Sequence, residues 1–425
     1  MFQLTKRYHV LLFVLICAVP IVTAYSLGQI SVEVFNEGHV SSSYEVYAAS
    51  GSVTAIQQAV DDVIAHGGGT VRIPEGDFLF DATPSSYVHS IGGVSIIGAG
   101  MFKTNLTLAP SRTYPSTTMF YVDGSNQQPL RISGITFIGR LGAAASATGD
   151  TGIELDVCKD FRIDHCSFHK LGSNGIFTHS FSNDDRSQWL LSQGVIDHNQ
   201  FIDIYKPDAL SAWVGFGYGI DIEKNWDSSK TPWPTDINQL MGNATDTVFV
   251  EDNFFTGCRH TTMTWLGGRT VYRYNTIDHH AIVNDAGHWM IDMHPPRGDG
   301  TDYYGGRWYE IYGNTLNGNA PDYHWGITID GGSALITNNT MTGPNLYYAY
   351  GFDLTTRGSI SQATLNKCKP HDIYIWNNIE YYAERVYNPN PSLVKEGVDY
   401  HFEDPATDGY TYTPYAYPHP LTLSG

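Results

Sequence analysis

Asp221, Glu223, Asp292 and His294 are the residues of this chain best placed to do chemistry, because each stands in a short segment that alternates apolar and polar residues. Five such segments begin with Gly: Gly152–Asp156, Gly175–His179, Gly219–Glu223, Gly326–Asp330 and Gly351–Thr355. In an extended strand successive side chains face opposite ways, so the apolar residues turn inward and the others outward. The outward pairs are Glu154/Asp156, Phe177/His179, Asp221/Glu223, Thr328/Asp330 and Asp353/Thr355. Two further segments fit the same column without the Gly. His260–Trp265 is expected to turn Thr262 and Thr264 outward, and Trp289–His294 to turn out Met290, Asp292 and His294. The sum is one solvent-facing ribbon of carboxylates with two histidines. Paired carboxylates can exchange protons with a substrate or hold a divalent cation. Surface charge is more often a solvated face. Here, however, the charges cluster beside the two longest insertions.

Those insertions are 225–243, with Trp226 and Trp233, and 279–307, with His279, His280, Asp285, His288, Trp289, Asp292, His294 and Arg297. Long loops on a rigid scaffold are where binding and catalysis concentrate. Aromatic walls suit sugar rings, whose C–H faces stack on them. Trp226, Trp233, Trp265 and Trp289 are the expected walls, with Asp330, Arg273 and Arg307 as polar substrate contacts. Arg259, Arg269, Arg273, Arg297 and Arg307 fall within 49 residues and form a local basic set.

The elements that position these residues are repetitive. An eight-residue phrase recurs at Leu130–Phe137, Phe161–Phe168, Gly194–Phe201, Val248–Phe255, Thr270–Ile277, Tyr309–Leu316, Ala334–Met341 and Ile373–Glu380. Its third position is always Ile, Val or Tyr, and most later copies carry Asn near the end. The copies are irregularly spaced, as for one structural unit with loops of different length inserted. Alternation of this phrase with the Gly-led segments, about 23 residues apart where no loop intervenes, describes the coils of a parallel β-helix. The recurring Asn fits a ladder of amides satisfying backbone groups at a tight bend.

At this level the chain resembles the pectin lyase-like superfamily of right-handed parallel β-helices, over roughly residues 51–390. An amphipathic helix at 55–66 leads through Gly67–Gly69 into the strand Thr70–Pro74. The resemblance implies that this helix caps the open end of the solenoid, where core side chains and strand edges would otherwise be exposed. The phrase Phe161–Phe168 also looks like a strand phrase of pectate lyases. After it, however, the chain lacks the acidic residues that help bind calcium in that family, and the paired arginine-proline motif is not evident. The expected organisation is a signal peptide at 1–24, a leading segment at 25–50, an all-β solenoid at 51–399 and an irregular Tyr/Pro-rich tail at 400–425 lying over the last coils.

Lys6 and Arg7 precede an apolar run, Val10–Val22, and Ala24 offers a small-residue cleavage site. The run is short for a membrane span, and no other segment could span, so a secreted protein is expected. An uncleaved anchor is the alternative. The mature chain keeps Cys158, Cys166, Cys258 and Cys368, which allow three disulfide pairings or four buried thiols. Cys166 occupies the Asn-ladder position, which favours burial. Asn105–Thr107, Asn243–Thr245 and Asn338–Thr340 are glycosylation sequons. With 24 basic and 43 acidic residues the net charge is −19, which argues against nucleic acid and anionic membrane as partners.

Three functions follow. A lyase acting on a uronate-containing polysaccharide needs a base and a cation or Arg to stabilise the enolate-like intermediate. Arg259, His260, Asp292, His294 and Arg297 are its candidate catalytic residues, with Asp221, Glu223 and Asp292 as calcium ligands. No organic cofactor is expected. An inverting glycoside hydrolase would use Asp221 and Asp292, two coils and roughly 10 Å apart if His260–Trp265 is the coil between them. A non-catalytic carbohydrate-binding solenoid needs only the scaffold and the aromatic groove. The superfamily resemblance favours the lyase.

Overall fold

The repeated phrase folds as two strands around a tight corner. In the copy Phe161–Phe168, Phe161–Asp164 and Ser167–His169 are separate strands, and His165 and Cys166 form the bend between them. The corner residue ahead of the ladder position is left-handed: His165, His198, Asp252, Tyr274, Asn338 and Asn377 have φ between 51° and 57°, and Gly313 has φ 68°. His, Asp and Asn tolerate this region better than branched residues do, which is why the phrase turns polar here.

The protein is described by a computed structural model over residues 44–423, except 84–85, 110–115, 141–148, 181–191, 206–216, 224–245, 280–287, 295–296, 299–301, 304, 319–323, 355–368 and 382–383. Three parallel sheets of 12, 10 and 10 strands run its length, and each strand pairs with the equivalent strand of the next coil. The first sheet takes the first half of each phrase, the third takes the second half, and the second takes the Gly-led segments. The fold is therefore the expected right-handed parallel β-helix, the hand that parallel crossovers adopt almost without exception.

The core is built of ladders. Phe137, Phe168, Phe201 and Phe255 stack at centroid distances of 5.1, 5.0 and 4.7 Å with nearly parallel rings. Full burial of each such ring stabilises by about 1.5–3 kcal/mol. At the corner, Asn199, Asn253, Asn275, Asn314, Asn339 and Asn378 form the amide ladder. In Asn253, Oδ1 accepts the Asn199 backbone N–H at 2.9 Å, while Nδ2 donates to Ile196 O at 2.8 Å and Glu251 O at 3.0 Å. Cys166 heads the ladder, its N–H donating to Asn199 Oδ1 at 2.9 Å. Cys158, Cys166 and Cys258 are buried free thiols.

The N-terminal helix runs Val53–Ala65, with Ser52 as its N-cap. It buries Val53, Ile56, Ala59, Val60 and Val63 over the first coils and closes that end of the core. The tail reaches much further than the last coils. After Tyr400–His401, the last strand of the first sheet, the chain turns back along that sheet's outer face. Tyr412 Oη donates to Glu310 at 3.0 Å, Arg273 donates to Tyr415 O and Ala416 O at 3.1 and 2.8 Å, and His419 N donates to Glu251 at 2.8 Å. Leu421 ends beside Val195 and Arg162. This strap explains why the outer face carries Val195, Phe249, Val271 and Leu335, all buried. The expected signal segment and the insertion 225–243 lie outside the described residues. No helix among the described residues is long and apolar enough to cross a membrane.

Candidate functional site

The outer face of the second sheet carries the ribbon, in three adjacent columns. One runs Glu154, Phe177, Asp221, Met263, Asp292 and Thr328, by direct pairing of each residue with the next. Beside it run Asp156, His179, Glu223 and Trp265, with His294 and Asp330 one residue beyond the paired positions of their strands. On the other side run Asn174, Tyr218, His260, Trp289 and Trp325.

The register corrects one expectation. Thr262 and Thr264 pair with Ile220 and Ile222 and face the core, and Met263 and Trp265 take the outward positions. Met290 also faces inward, within the main core cluster. The cause is a local irregularity. A Cβ built on Gly152, Gly175 or Gly219 would meet the ring of Phe168, Phe201 or Phe255 within 3.0 Å, so these glycines face the core. The Ile that follows each of them faces it as well. Thr261 and Met290 fill the same place in strands without Gly, so strict alternation fails there.

Asp221 and Asp292 are two strand spacings apart with Met263 between. Both are almost fully buried. Burial, then the neighbouring charges of Glu223 and Asp292, holds the Asp221 carboxyl well above the usual carboxylate range, against a hydrogen bond from Asn174 that lowers it. Asp221 Oδ1 has no hydrogen-bond partner among the described residues. Glu223 is pushed up to about 7 by desolvation, with His179 pulling the other way. Asp330 is likewise raised by burial and by Asp292; its Oδ1 accepts from Thr328 Oγ1 at 2.6 Å and from the Asp353 backbone N–H at 2.5 Å.

Asp292 sits between two imidazoles. His294 Nδ1 is 2.8 Å and His260 Nε2 3.6 Å from its Oδ2. His260 Nδ1 lies 2.5 Å from Trp289 O. A carbonyl only accepts, so Nδ1 carries a proton and Nε2 faces the carboxylate. A few coils earlier His179 bridges Glu154 (3.0 Å) and Asp156 (3.3 Å), and Tyr121 Oη donates to Asp156 at 3.1 Å. Burial lowers the pKa of His179, but the two carboxylates more than offset it and the net shift is upward.

Aromatic residues close one side of the ribbon. Trp289 and Trp325 meet at 4.8 Å, and Trp325 packs on Tyr387 at 5.1 Å and Tyr348 at 5.8 Å. Position 351 must be Gly, because any side chain would run into the Trp289 ring at 2.0 Å. Trp265 stands partly exposed with its ring edge-on to His294 at 5.7 Å.

Among the expected site residues, the structure brings together Asp221, Glu223, His260, Trp265, Trp289, Asp292, His294 and Asp330. Arg259 lies beside them, its guanidinium 5.9 Å from the centre of the Tyr218 ring. Arg273 and Arg307 are set apart on the first sheet. Arg273 is buried against Glu251 and the tail, and Arg307 is buried against Asp246, which Arg269 also binds at 2.6 Å. Trp226, Trp233 and the Arg297 side chain lie outside the described residues. The ligand atoms of Asp221, Glu223 and Asp292 are not all within 4.8 Å of one another. Among the described residues, the three-residue group whose ligand atoms lie within 4.8 Å of one another is His401, Glu403 and Asp408. Asn174, Tyr218 and Trp325 escaped the sequence reading of the site, although all recur at fixed places in the strand columns; His179 was expected on the ribbon but given no role there.

No family model matches the chain, and no curated protein matches it. Solved structures do. A mutant tailspike protein of Escherichia coli bacteriophage HK620, in complex with a pentasaccharide, aligns at 12% identity with a TM-score of 0.51, over 79% of this chain and 55% of that one. The A-module of the Azotobacter vinelandii mannuronan C-5 epimerase aligns at 12% identity and a TM-score of 0.34, over 79% of this chain and 94% of that one. This chain thus spans little more than half of the tailspike chain it matches. The tailspike likeness establishes the shared parallel β-helix fold.

Proposed function

We propose that the protein is a secreted carbohydrate-active enzyme that hydrolyses a glycosidic bond with inversion on the ribbon around Asp221 and Asp292. One observation carries this reading. Asp221, almost fully buried, and the half-buried Glu223 beside it are both raised above the usual carboxylate range, two strand spacings from Asp292, which two imidazoles flank. Two spacings of about 4.8 Å put the strands roughly 10 Å apart, near the ~6.5–9.5 Å that leaves room for a water between acid and base. In the reaction Asp292 takes a proton from water as its oxygen attacks the anomeric carbon. Asp221 gives its proton to the glycosidic oxygen as the bond from that carbon breaks. Trp265, Trp289 and Trp325 supply faces for sugar rings, and Asp330 accepts from a hydroxyl. That the matched tailspike holds a pentasaccharide supports a polysaccharide partner. The charged start and apolar run Val10–Val22 support secretion.

The lyase is the second reading, favoured by the imidazoles His260 and His294 at Asp292 with Arg259 nearby. It removes the proton α to a uronate carboxylate and expels the 4-linked oxygen, leaving an unsaturated product. Mature protein is offered pectate, alginate, glycosaminoglycan and neutral polysaccharides, with calcium or with chelator. Reducing ends without ultraviolet absorbance, released with inverted anomeric configuration, support the hydrolase. Absorbance rising with reducing ends overturns it in favour of the lyase, and loss in chelator then assigns calcium a role. Neither signal across the panel moves the reading to a binding protein.

A further inference from the structure

On the first sheet, away from the ribbon, the returning tail and the β-helix corner enclose a cavity of about 410 Å³. That volume lies in the range of small-ligand sites. Tyr274, Tyr312 and Trp376 line it from the solenoid, and Tyr410 and Tyr412 from the tail. We propose that this cavity is a second carbohydrate-binding site, which takes a neutral sugar unit and holds the polymer at a distance from the ribbon. It extends the functional reading above, since it supposes that the protein handles polysaccharide.

Three observations support it. Tyr274 is a large ring left 40% exposed at the mouth of the cavity. It is braced rather than loose. Its ring lies over Gly313, where a Cβ would come within 2.5 Å of it, and packs on Tyr417 at 4.1 Å. A braced, exposed ring is a platform for the C–H face of a sugar. The second observation is Thr337, a hydroxyl in the cavity lining that is 3% exposed and has no hydrogen-bond partner among the described residues. A buried hydroxyl without a partner costs stability, and a sugar hydroxyl is a partner of the right kind. The third is the remaining polar lining. Asn338, an exposed corner amide, and Thr411 offer donors and acceptors, and Asp404 is the one carboxyl in the lining among the described residues. Among the described residues no Lys or Arg lines the cavity, so an anionic uronate is disfavoured and a neutral sugar is favoured.

The test is native affinity electrophoresis of the full chain in gels holding xylan, β-glucan or galactomannan. Wild type, Thr337→Val, Tyr274→Ala and Asp292→Asn are compared, with thermal midpoints measured in parallel. Retardation of wild type and Asp292→Asn alike, weakened about tenfold in Thr337→Val and Tyr274→Ala with midpoints kept, supports the site. Turnover of short oligosaccharides stays unchanged in those two variants. Retardation unaltered in both, or abolished by Asp292→Asn, overturns it. So does an unretarded wild type. Choline binding that responds to Tyr274→Ala, without sugar binding, also overturns it, because the rings would then be a cation cage. If wild type is retarded yet releases no product, the catalytic proposal fails and the second site stands.

Discussion

Two faces of the solenoid carry carboxylates, and they treat them in opposite ways. On the first sheet each is answered. Arg131 grips Asp164 through two hydrogen bonds of 2.7 Å, Arg162 grips Asp197 at 3.0 and 2.9 Å, and Arg273 pairs with Glu251. Burial alone would raise Asp164, but Arg131, Arg162 and His165 together outweigh it and the carboxyl sits below its ordinary value. On the second sheet no arginine among the described residues pairs with Asp221 or Glu223, and both carboxyls are raised. A raised pKa does not by itself mark a site, however. Glu310 on the first sheet is also pushed to about 7 by burial, yet Trp308 Nε1 and Tyr412 Oη donate to its two oxygens at 3.0 Å each. It is a finished structural group. Asp221 differs in keeping one buried oxygen without a hydrogen-bond partner among the described residues. Perturbation with hydrogen bonds left over separates a reactive group from a buried one.

The sharpest way to break this contrast is Asp292→Asn. The exchange is close to isosteric and is expected to lower turnover by roughly 10²–10⁴-fold, the usual worth of a general base. The thermal midpoint should hardly move. Full activity in Asp292→Asn would return the ribbon to the status of a solvated acidic face.

Arg273→Ala makes the opposite prediction. It leaves Glu251 buried without its partner and releases Tyr415 and Ala416, so a loss of about 3–5 kcal/mol is expected. Limited proteolysis should then cut the tail, while protein that remains folded turns over as before. A loss of turnover without loss of stability would mean that Arg273 serves the site after all.

That residue also shows what a sequence can and cannot reveal here. The β-helix was legible because its unit repeats: the third-position Ile and the late Asn recur whatever loop lies between, and the Asn column became the amide ladder. The Gly-led segments placed Asp221 and Glu223 outward because Gly fixes where each begins. His260–Trp265 has no Gly and three Thr, a residue at home on either face, so its register came out one residue off. Arg273 was grouped with Arg259 by closeness along the chain. Yet it holds the same place in its phrase as Asp164, Asp197 and Glu251, which puts it on the first sheet. The course of the tail was not legible, because its partners, Glu310, Asp252, Glu251 and Arg162, lie over 100 residues back.

Asn314→Ala probes the ladder that both faces share. Asn314 Oδ1 accepts the Asn275 backbone N–H at 2.9 Å, and Nδ2 donates to Tyr272 O at 2.9 Å and Tyr312 O at 3.2 Å. Removing the amide orphans buried backbone groups, at about 1–3 kcal/mol each before relaxation or water entry. Denaturant midpoints should fall by an amount between that of Arg273→Ala and that of an exposed control, with turnover intact. An unchanged midpoint would show that the corner holds without its amides.

The smallest effect, and the finest discrimination, is in pH. Glu223 and Glu310 are both raised to about 7 from an ordinary 4.5. Between those values the folded protein binds more protons at these groups than the unfolded chain does. Their stabilising contribution is therefore complete below about 4.5 and is lost as pH rises through about 7. One such proton changes stability by at most about 1.4 kcal/mol per pH unit. Glu310→Gln keeps a neutral side chain between Trp308 and Tyr412, so it should flatten the fall in stability between pH 5 and 7.5 and leave the pH profile of turnover untouched. Glu223→Gln should reshape that profile, because the Asp221–Glu223 pair must keep its proton to act as the acid and turnover declines as the proton is lost above about 7. If both substitutions change only stability, the two faces do not differ in kind. If Glu310→Gln alone moves the activity profile, the reactive proton belongs to the first sheet.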